Sequence, residues 1–314
     1  MRNTFLIYTA FGAPAECLRL DTAELPELEP GRIRVAMSLA PVNPSDLIPI
    51  TGAYAHRIPL PSIAGYEGVG RVVGAPPAHA GLLGKRVLPL RGPGTWQTHV
   101  DCDPALAIPV PDSIADPVAA RAYINPLAAM SMLARWPVAG KRVLLSGAGS
   151  ACAELLGQWA LRQGALAVQG IYRSASRVER LLSQGIEPVC MDDAHAVERA
   201  AARADIAFDS LGGAIGSAVL AAMGAGSVFV GYGLLSGQNV RSSSGVAAAY
   251  RRFHLRDALA EMSAATWQQQ FAGLWPMLMR LELPPVRTFP LADWRSALAQ
   301  AGRPGADKAL LGFG

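Results

Sequence analysis

Residues 141–153, Lys-Arg-Val-Leu-Leu-Ser-Gly-Ala-Gly-Ser-Ala-Cys-Ala, run from an apolar stretch into a glycine-rich turn and then into helix formers. Glycines in such a turn let the backbone approach a pyrophosphate, and the helix N-terminus behind it offers amide donors and a favourable dipole. Ser146, Gly147, Gly149, Ser150, Ala151 and Cys152 are therefore the candidate contacts to a dinucleotide. The G-x-G-x-x-G fingerprint is incomplete, because Cys152 stands where its third glycine belongs, and a tight βα turn without a ligand has the same pattern. After the next apolar strand come Arg173, Ser174 and Arg177 and no acid. An acid at that place takes the ribose hydroxyls of NAD; a hydroxyl and two arginines suit a 2′-phosphate through charge-assisted contacts. The expected cofactor is NADPH, with a solvated, arginine-rich helix start as the alternative. Gly231 and Tyr232, which end a further apolar strand, complete the expected cofactor set.

The elements that must hold these residues follow from texture. The chain has 314 residues, about two domains at the usual ~150 residues each. Hydrophobic residues make up 51% and charged residues 17%, which excludes a disordered chain. Only Lys85, Lys141 and Lys308 are lysines, the net charge is +4, and no basic run occurs, so a nucleic-acid surface is not expected. Cys17, Cys102, Cys152 and Cys190 form no C-x-x-C pair, which predicts neither zinc knuckle nor disulfide framework and fits a reducing, cytoplasmic compartment. Ser210–Val240 carries no charge, but eight glycines punctuate it. It reads as turn, helix, turn and buried strand, and the protein is expected to be soluble.

Residues 1 to about 112 show short β-branched runs at Arg32–Met37, Gly68–Val73 and Lys85–Leu90 between Pro/Gly turns. From Pro117 strands at Arg142–Leu145, Ala167–Tyr172, Asp205–Asp209 and Ser227–Gly231 alternate with helices at Ala153–Gln163, Arg177–Gln184 and Ala214–Met223. That alternation predicts βαβ units and a parallel sheet. The tail, with strands at Pro284–Phe289 and Lys308–Phe313 around a helix at Asp293–Ala301, is expected to fold back on the first domain.

Ala40-Pro41-Val42-Asn43-Pro44-Ser45-Asp46, Thr51-Gly52-Ala53-Tyr54, Gly65-Tyr66-Glu67-Gly68-Val69-Gly70 and Phe208-Asp209-Ser210-Leu211-Gly212-Gly213 resemble the medium-chain dehydrogenase/reductase superfamily. Within it, Gly94-Thr95-Trp96-Gln97-Thr98 and Ile124-Asn125-Pro126 are similar to the zinc-free quinone oxidoreductases and mitochondrial-type 2-enoyl thioester reductases. The resemblance spans nearly the whole chain. It implies an α/β fold with a β-rich GroES-like catalytic domain (1–116 and 282–314) and a doubly wound Rossmann domain for NADP (117–281). It implies a homodimer, for which the strand at Ser227–Tyr232 is the expected edge. It also implies conjugate reduction of an enoyl thioester, with Tyr54 of the G-x-Y loop as proton donor or as an aromatic lid. Asn43 is expected either to bond nicotinamide, ribose or substrate, or to serve a plain Asn-Pro turn. His56, Trp96, Phe253 and His254 are the candidate substrate contacts, with an exposed loop position for His56 and a packed or exposed imidazole for His254 as the alternatives; Phe253-His254-Leu255 stands where the family has F-W-L. Tyr66 stands where zinc-dependent members have the histidine of G-H-E, so no catalytic metal is expected. A quinone or enone oxidoreductase and a non-catalytic NADPH-binding sensor or scaffold are the alternative functions.

Overall fold

The computed structural model describes residues 1–53, 55–242, 245–260 and 262–314. The chain divides into two compact units, Met1–Ile124 with Met262–Gly314, and Asn125–Glu261.

In the first unit β1 (Arg2–Tyr8) pairs antiparallel with β2 (Arg19–Glu24) and with β4 (Ser62–Ile63). A second sheet is built on β3 (Ile33–Pro41), β5 (Val69–Gly74), β6 (Arg86–Pro89), β7 (His99–Cys102) and β8 (Ala107–Pro109). The tail adds β15 (Val286–Pro290) and β16 (Lys308–Gly312), giving the order β15-β16-β3-β5-β6-β8 with β7 also on β3. β16 lies antiparallel to β3 with Leu310 opposite Pro41, so the C-terminal strand reaches the segment that carries Asn43. Alternate residues of β3 turn inward, and Ile33, Val35, Val72, Val87 and Val100 form one core cluster. Leu6, Ile50, Trp96, Trp294 and Leu311 form another. Helix Ala264–Leu278 belongs to this unit. The indole N–H of Trp267 donates to Leu106 O at 2.9 Å, and the Trp267 ring stands edge-on to Tyr123 with centroids 5.3 Å apart. The unit boundaries therefore fall at 124/125 and 261/262, where the sequence had suggested 116/117 and 281/282.

The second unit carries a parallel sheet of β9 (Arg142–Ser146), β10 (Ala167–Tyr172), β11 (Glu187–Cys190), β12 (Ile206–Asp209), β13 (Val228–Gly231) and β14 (Ala249–Arg252). Their spatial order, β11-β10-β9-β12-β13-β14, is the doubly wound arrangement. Leu144, Ile171, Ala207 and Phe229 of these strands pack with Val197, Ala201 and Leu220 of the flanking helices. The edge expected at Ser227–Tyr232 is corrected: β13 is bonded to β12 on one side and to β14 on the other. Among the described residues the edge strand on this side is β14, with β11 at the other end of the sheet; Arg251 and Arg252 disguise β14, because charged residues at an edge erase the apolar alternation that marks a strand. The uncharged stretch Ser210–Val240 folds as helix Gly213–Ala222 and β13 with turns between. No helix among the described residues is long and apolar enough to cross a membrane.

Candidate active site

In the first unit β3 runs into Val42-Asn43-Pro44, where Pro44 opens the short helix Pro44–Leu47. Asn43 and Asp46 are each 2% exposed and Glu67 1%. The backbone N–H of Asn43 donates to Asp46 Oδ2 at 2.7 Å and that of Tyr66 to Asp46 Oδ1 at 2.9 Å. The Asn43 side chain donates from Nδ2 to Glu67 Oε1 at 2.7 Å, while its Oδ1 accepts from Lys308 Nζ at 2.5 Å. Lys308 donates also to Val42 O at 2.7 Å. Glu67 Oε2 accepts the backbone N–H groups of Tyr123 and Ile124, both at 2.9 Å, where the helix Ile124–Arg135 begins. Two carboxyls and one ammonium thus share a small enclosed volume. Burial, aided by the charge of Glu67, pushes Asp46 up to about 7 against the pull of Lys308. Burial raises Glu67 as well, and it lowers Lys308 to about 8 against the attraction of both acids. The arrangement fixes the Asn43 amide in one orientation.

His56 and Trp96, the other expected residues of this unit that are described, differ in burial. His56 is exposed on the turn Ala55–Arg57. Trp96 is corrected from a substrate contact to a core residue: it is fully enclosed, and its indole N–H donates to Pro41 O at 3.1 Å. Tyr54 lies outside the described residues. Among the described residues no group of three or more His, Cys, Asp or Glu could hold a metal ion.

In the second unit β9 ends at the glycine-rich turn. Gly147 has φ +60°, and a Cβ there would lie 2.5 Å from Ser210 Oγ, so glycine is required. Ser150 caps the helix Ala151–Arg162, its hydroxyl accepting from Ala153 N. The strand, glycine turn and capped helix thus stand where the sequence predicts them. The Ser146 hydroxyl is directed elsewhere: it donates to Asp209 Oδ1 and accepts from Ser210 N at 2.9 Å, joining β9 to β12. This side chain is corrected from a cofactor contact to a sheet fastener. Cys152 is buried, donates weakly to Asn125 O at 3.7 Å, and has its thiol pushed up to about 12 by burial, so it is a packed thiol and not a nucleophile. Tyr232, just past β13, has a buried hydroxyl beside Cys152, Ser150 and Ser210, and burial raises it well above the ordinary phenol value.

Of the basic set, Arg177 is placed against the turn. Arg173 is exposed, and Ser174 bonds Ser176 at 2.9 Å. The stem of Arg177 lies against Gly149, where a Cβ would come within 2.9 Å of Arg177 Cγ. Gly149 is thus small for the arginine's sake as well as for a ligand's. Phe253 is buried edge-on to Trp136 with centroids 6.2 Å apart. His254 accepts from Arg252 Nε at 3.0 Å, which makes its Nε2 the unprotonated nitrogen in this contact. Asp46, Glu67 and Lys308 escaped the sequence as site residues. The first two stand inside quoted motifs, and the third is a lone cation opening an apolar strand, the one signal available for it.

Residues 29–112 match the alcohol dehydrogenase GroES-like domain. The human mitochondrial enoyl-[acyl-carrier-protein] reductase is 28% identical over 95% of this chain and 85% of its own length. A putative NADPH:quinone reductase from Bacillus thuringiensis is 34% identical, with a TM-score of 0.91 and 99% of each chain covered. The complex of Etr1p with NADP and crotonyl-CoA has the same fold, with a TM-score of 0.83 at 19% identity over 99% of this chain and 100% of that one. The strand order, the glycine turn and these likenesses converge: the chain belongs to the medium-chain dehydrogenase/reductase superfamily, in the oxidoreductase branch of quinone reductases and enoyl thioester reductases.

Proposed function

We propose that this protein is an NADPH-dependent reductase of activated carbon–carbon double bonds, acting on 2-enoyl thioesters. The observation that carries the reading is the pairing, within one unit, of the Gly147–Gly149 turn with an acid-free basic set in which Arg177 lies against Gly149. The amides that open helix Ala151–Arg162, with Ser150, hold the pyrophosphate, and Arg173, Ser174 and Arg177 hold the 2′-phosphate. Tyr232, whose hydroxyl lies beside Ser150, and Gly231 before it at the end of β13 complete the set. When bound, the coenzyme supplies a hydride to the β-carbon of the substrate. The protein's own residues orient both partners and deliver a proton to the α-carbon. Tyr54 is the donor in this reading; a phenol, of ordinary pKa ~10, keeps its proton at neutral pH. Asn43, held by Glu67 and Lys308, anchors the start of the segment that leads to Tyr54 and His56.

The likeness to the human enoyl-[acyl-carrier-protein] reductase supports thioesters. The likeness to the Bacillus thuringiensis protein supports the second reading, a quinone reductase, in which proton delivery is less demanding and Tyr54 is dispensable. Fluorescence titration with NADPH and NADH, followed by turnover of crotonyl-CoA, quinones and simple enones, separates them. Enoyl reduction that Tyr54→Phe abolishes is the expected result; enoyl reduction at the wild-type rate in that variant refutes the donor. Tight NADPH binding without turnover of any acceptor would make the protein a sensor.

A further inference from the structure

Glu154 sits on helix Ala151–Arg162, one turn in from the proposed pyrophosphate site, and is 1% exposed. By charge alone it is misplaced, because a carboxylate near a polyphosphate repels it. Its donors converge on one of its two oxygens, while Oε1 is buried without a hydrogen-bond partner among the described residues. Arg180 Nε donates to Glu154 Oε2 at 2.9 Å, and Gln184 Nε2 approaches the same oxygen at 3.3 Å. Burial raises the Glu154 carboxyl, and Arg180 foremost, then Gln184 and last Arg177, draws it back towards the ionised form. Arg180 stands on helix Val178–Ser183, directly after the turn Ala175–Arg177. Leu181 of that helix is fully buried, so the helix is fastened by one apolar and one ionic contact. Three residues before Arg180, the stem of Arg177 crosses Gly149.

We propose that Glu154 is a positioning residue for coenzyme selectivity: through Arg180 it fixes residues 174–184 on the cofactor helix, so that Arg177 stays over Gly149 and the preference for a 2′-phosphorylated coenzyme is set from inside the protein. This rests on the NADPH reading above. It predicts a sign opposite to that of simple electrostatics. Removing a buried negative charge near a polyanion site should tighten every nucleotide if Coulomb attraction were the whole effect. If Glu154 positions Arg177, its removal loosens the 2′-phosphorylated ligands only.

The test uses the whole protein, with NADPH and NADH titrated by fluorescence and 2′,5′-ADP by calorimetry. Wild type is expected to favour NADPH, and Arg177→Ala to lose that preference; a wild type without it removes the NADPH reading and this proposal together. In Glu154→Gln, NADPH and 2′,5′-ADP weaken about tenfold, the worth of one charge-assisted hydrogen bond, while NADH moves less than twofold. Arg180→Gln, at a side chain 20% exposed and so less disruptive to the fold, carries the same expectation. If Arg177→Ala abolishes the preference but Glu154→Gln and Arg180→Gln retain it, Glu154 has no such role and the NADPH reading stands. Tighter NADPH binding in Glu154→Gln, or equal loss for both coenzymes, also overturns the proposal.

Discussion

Replacing Lys308 by Met removes the one cation that serves Asn43, Asp46 and Glu67 from the C-terminal strand. Two hydrogen bonds disappear, to Asn43 Oδ1 at 2.5 Å and to Val42 O at 2.7 Å. At ~1.5 kcal/mol each, the low end for a charged donor because Lys308 is only half-buried, the loss is about 3 kcal/mol. That agrees with the low end of breaking a buried ion pair. The pH dependence is more diagnostic than the magnitude. In the wild type Asp46 is raised to about 7, so the folded state holds a proton that the unfolded chain has lost. Its contribution is present at low pH and is lost as pH rises from the ordinary carboxylate range through about 7. Without Lys308 both carboxyls keep protons to higher pH, so the variant goes on losing stability where the wild type has levelled. The deficit therefore grows between pH 6 and 8, by up to ~1.4 kcal/mol per pH unit for one proton. Urea unfolding followed by tryptophan fluorescence reads it, since Trp96 and Trp294 lie in the adjoining core. A loss below ~1 kcal/mol at pH 8, or a deficit that does not shrink at pH 6, would show that the ammonium is not what balances the two acids.

Ser146→Ala should destabilise the second unit by about 1–3 kcal/mol, because Asp209 and the Ser210 N–H each lose a partner; an unchanged thermal midpoint would count against the fastener role. The protein is expected to be a homodimer through β14. Ala249 N and Phe253 N bond inward to β13, so the N–H of Arg252 faces the open edge. Arg252→Pro should then yield monomers in sedimentation without loss of the fold, and a wild type that sediments only as a monomer refutes the interface. Chelator treatment should leave activity intact, and about one equivalent of tightly held zinc in the pure protein would reverse the metal-free expectation.

The βαβ unit was legible because each element announces itself twice, by an apolar run and by a glycine or capping residue beside it. β10 was read at its observed limits, and β9, β12 and β13 to within a residue at either end. Three of the elements missed share one property: their sequence is shaped by something other than their own period. β11 contains Pro188, β14 is half arginine, and helix Ala264–Leu278 contains Gly273 and Pro276. Trp96 misled for the opposite reason. An aromatic in a recognisable motif looks like a ligand contact, and nothing local says that a neighbouring carbonyl takes its N–H.

The residues that the sequence nominated for chemistry and those that hold them in place differ in a systematic way. Asn43 and Arg177 were nominated; Asn43 is held by Glu67, a residue that was not, and in the other unit the proposal gives Glu154, bonded to Arg180 on the helix after Arg177, the corresponding part. Both glutamates are 1% exposed, and both are balanced by cations far away in sequence or on another helix. A glutamate has no local signature of burial, since its type favours the surface and its partner is chosen by tertiary structure. Yet leaving a carboxylate in a core is costly enough that it persists only when several donors converge on it. Glu67 has Asn43, Tyr123 and Ile124; Glu154 has Arg180 and Gln184. Convergence of that kind restrains each donor in return, which is why a side chain that contacts no ligand can decide how well its neighbour does.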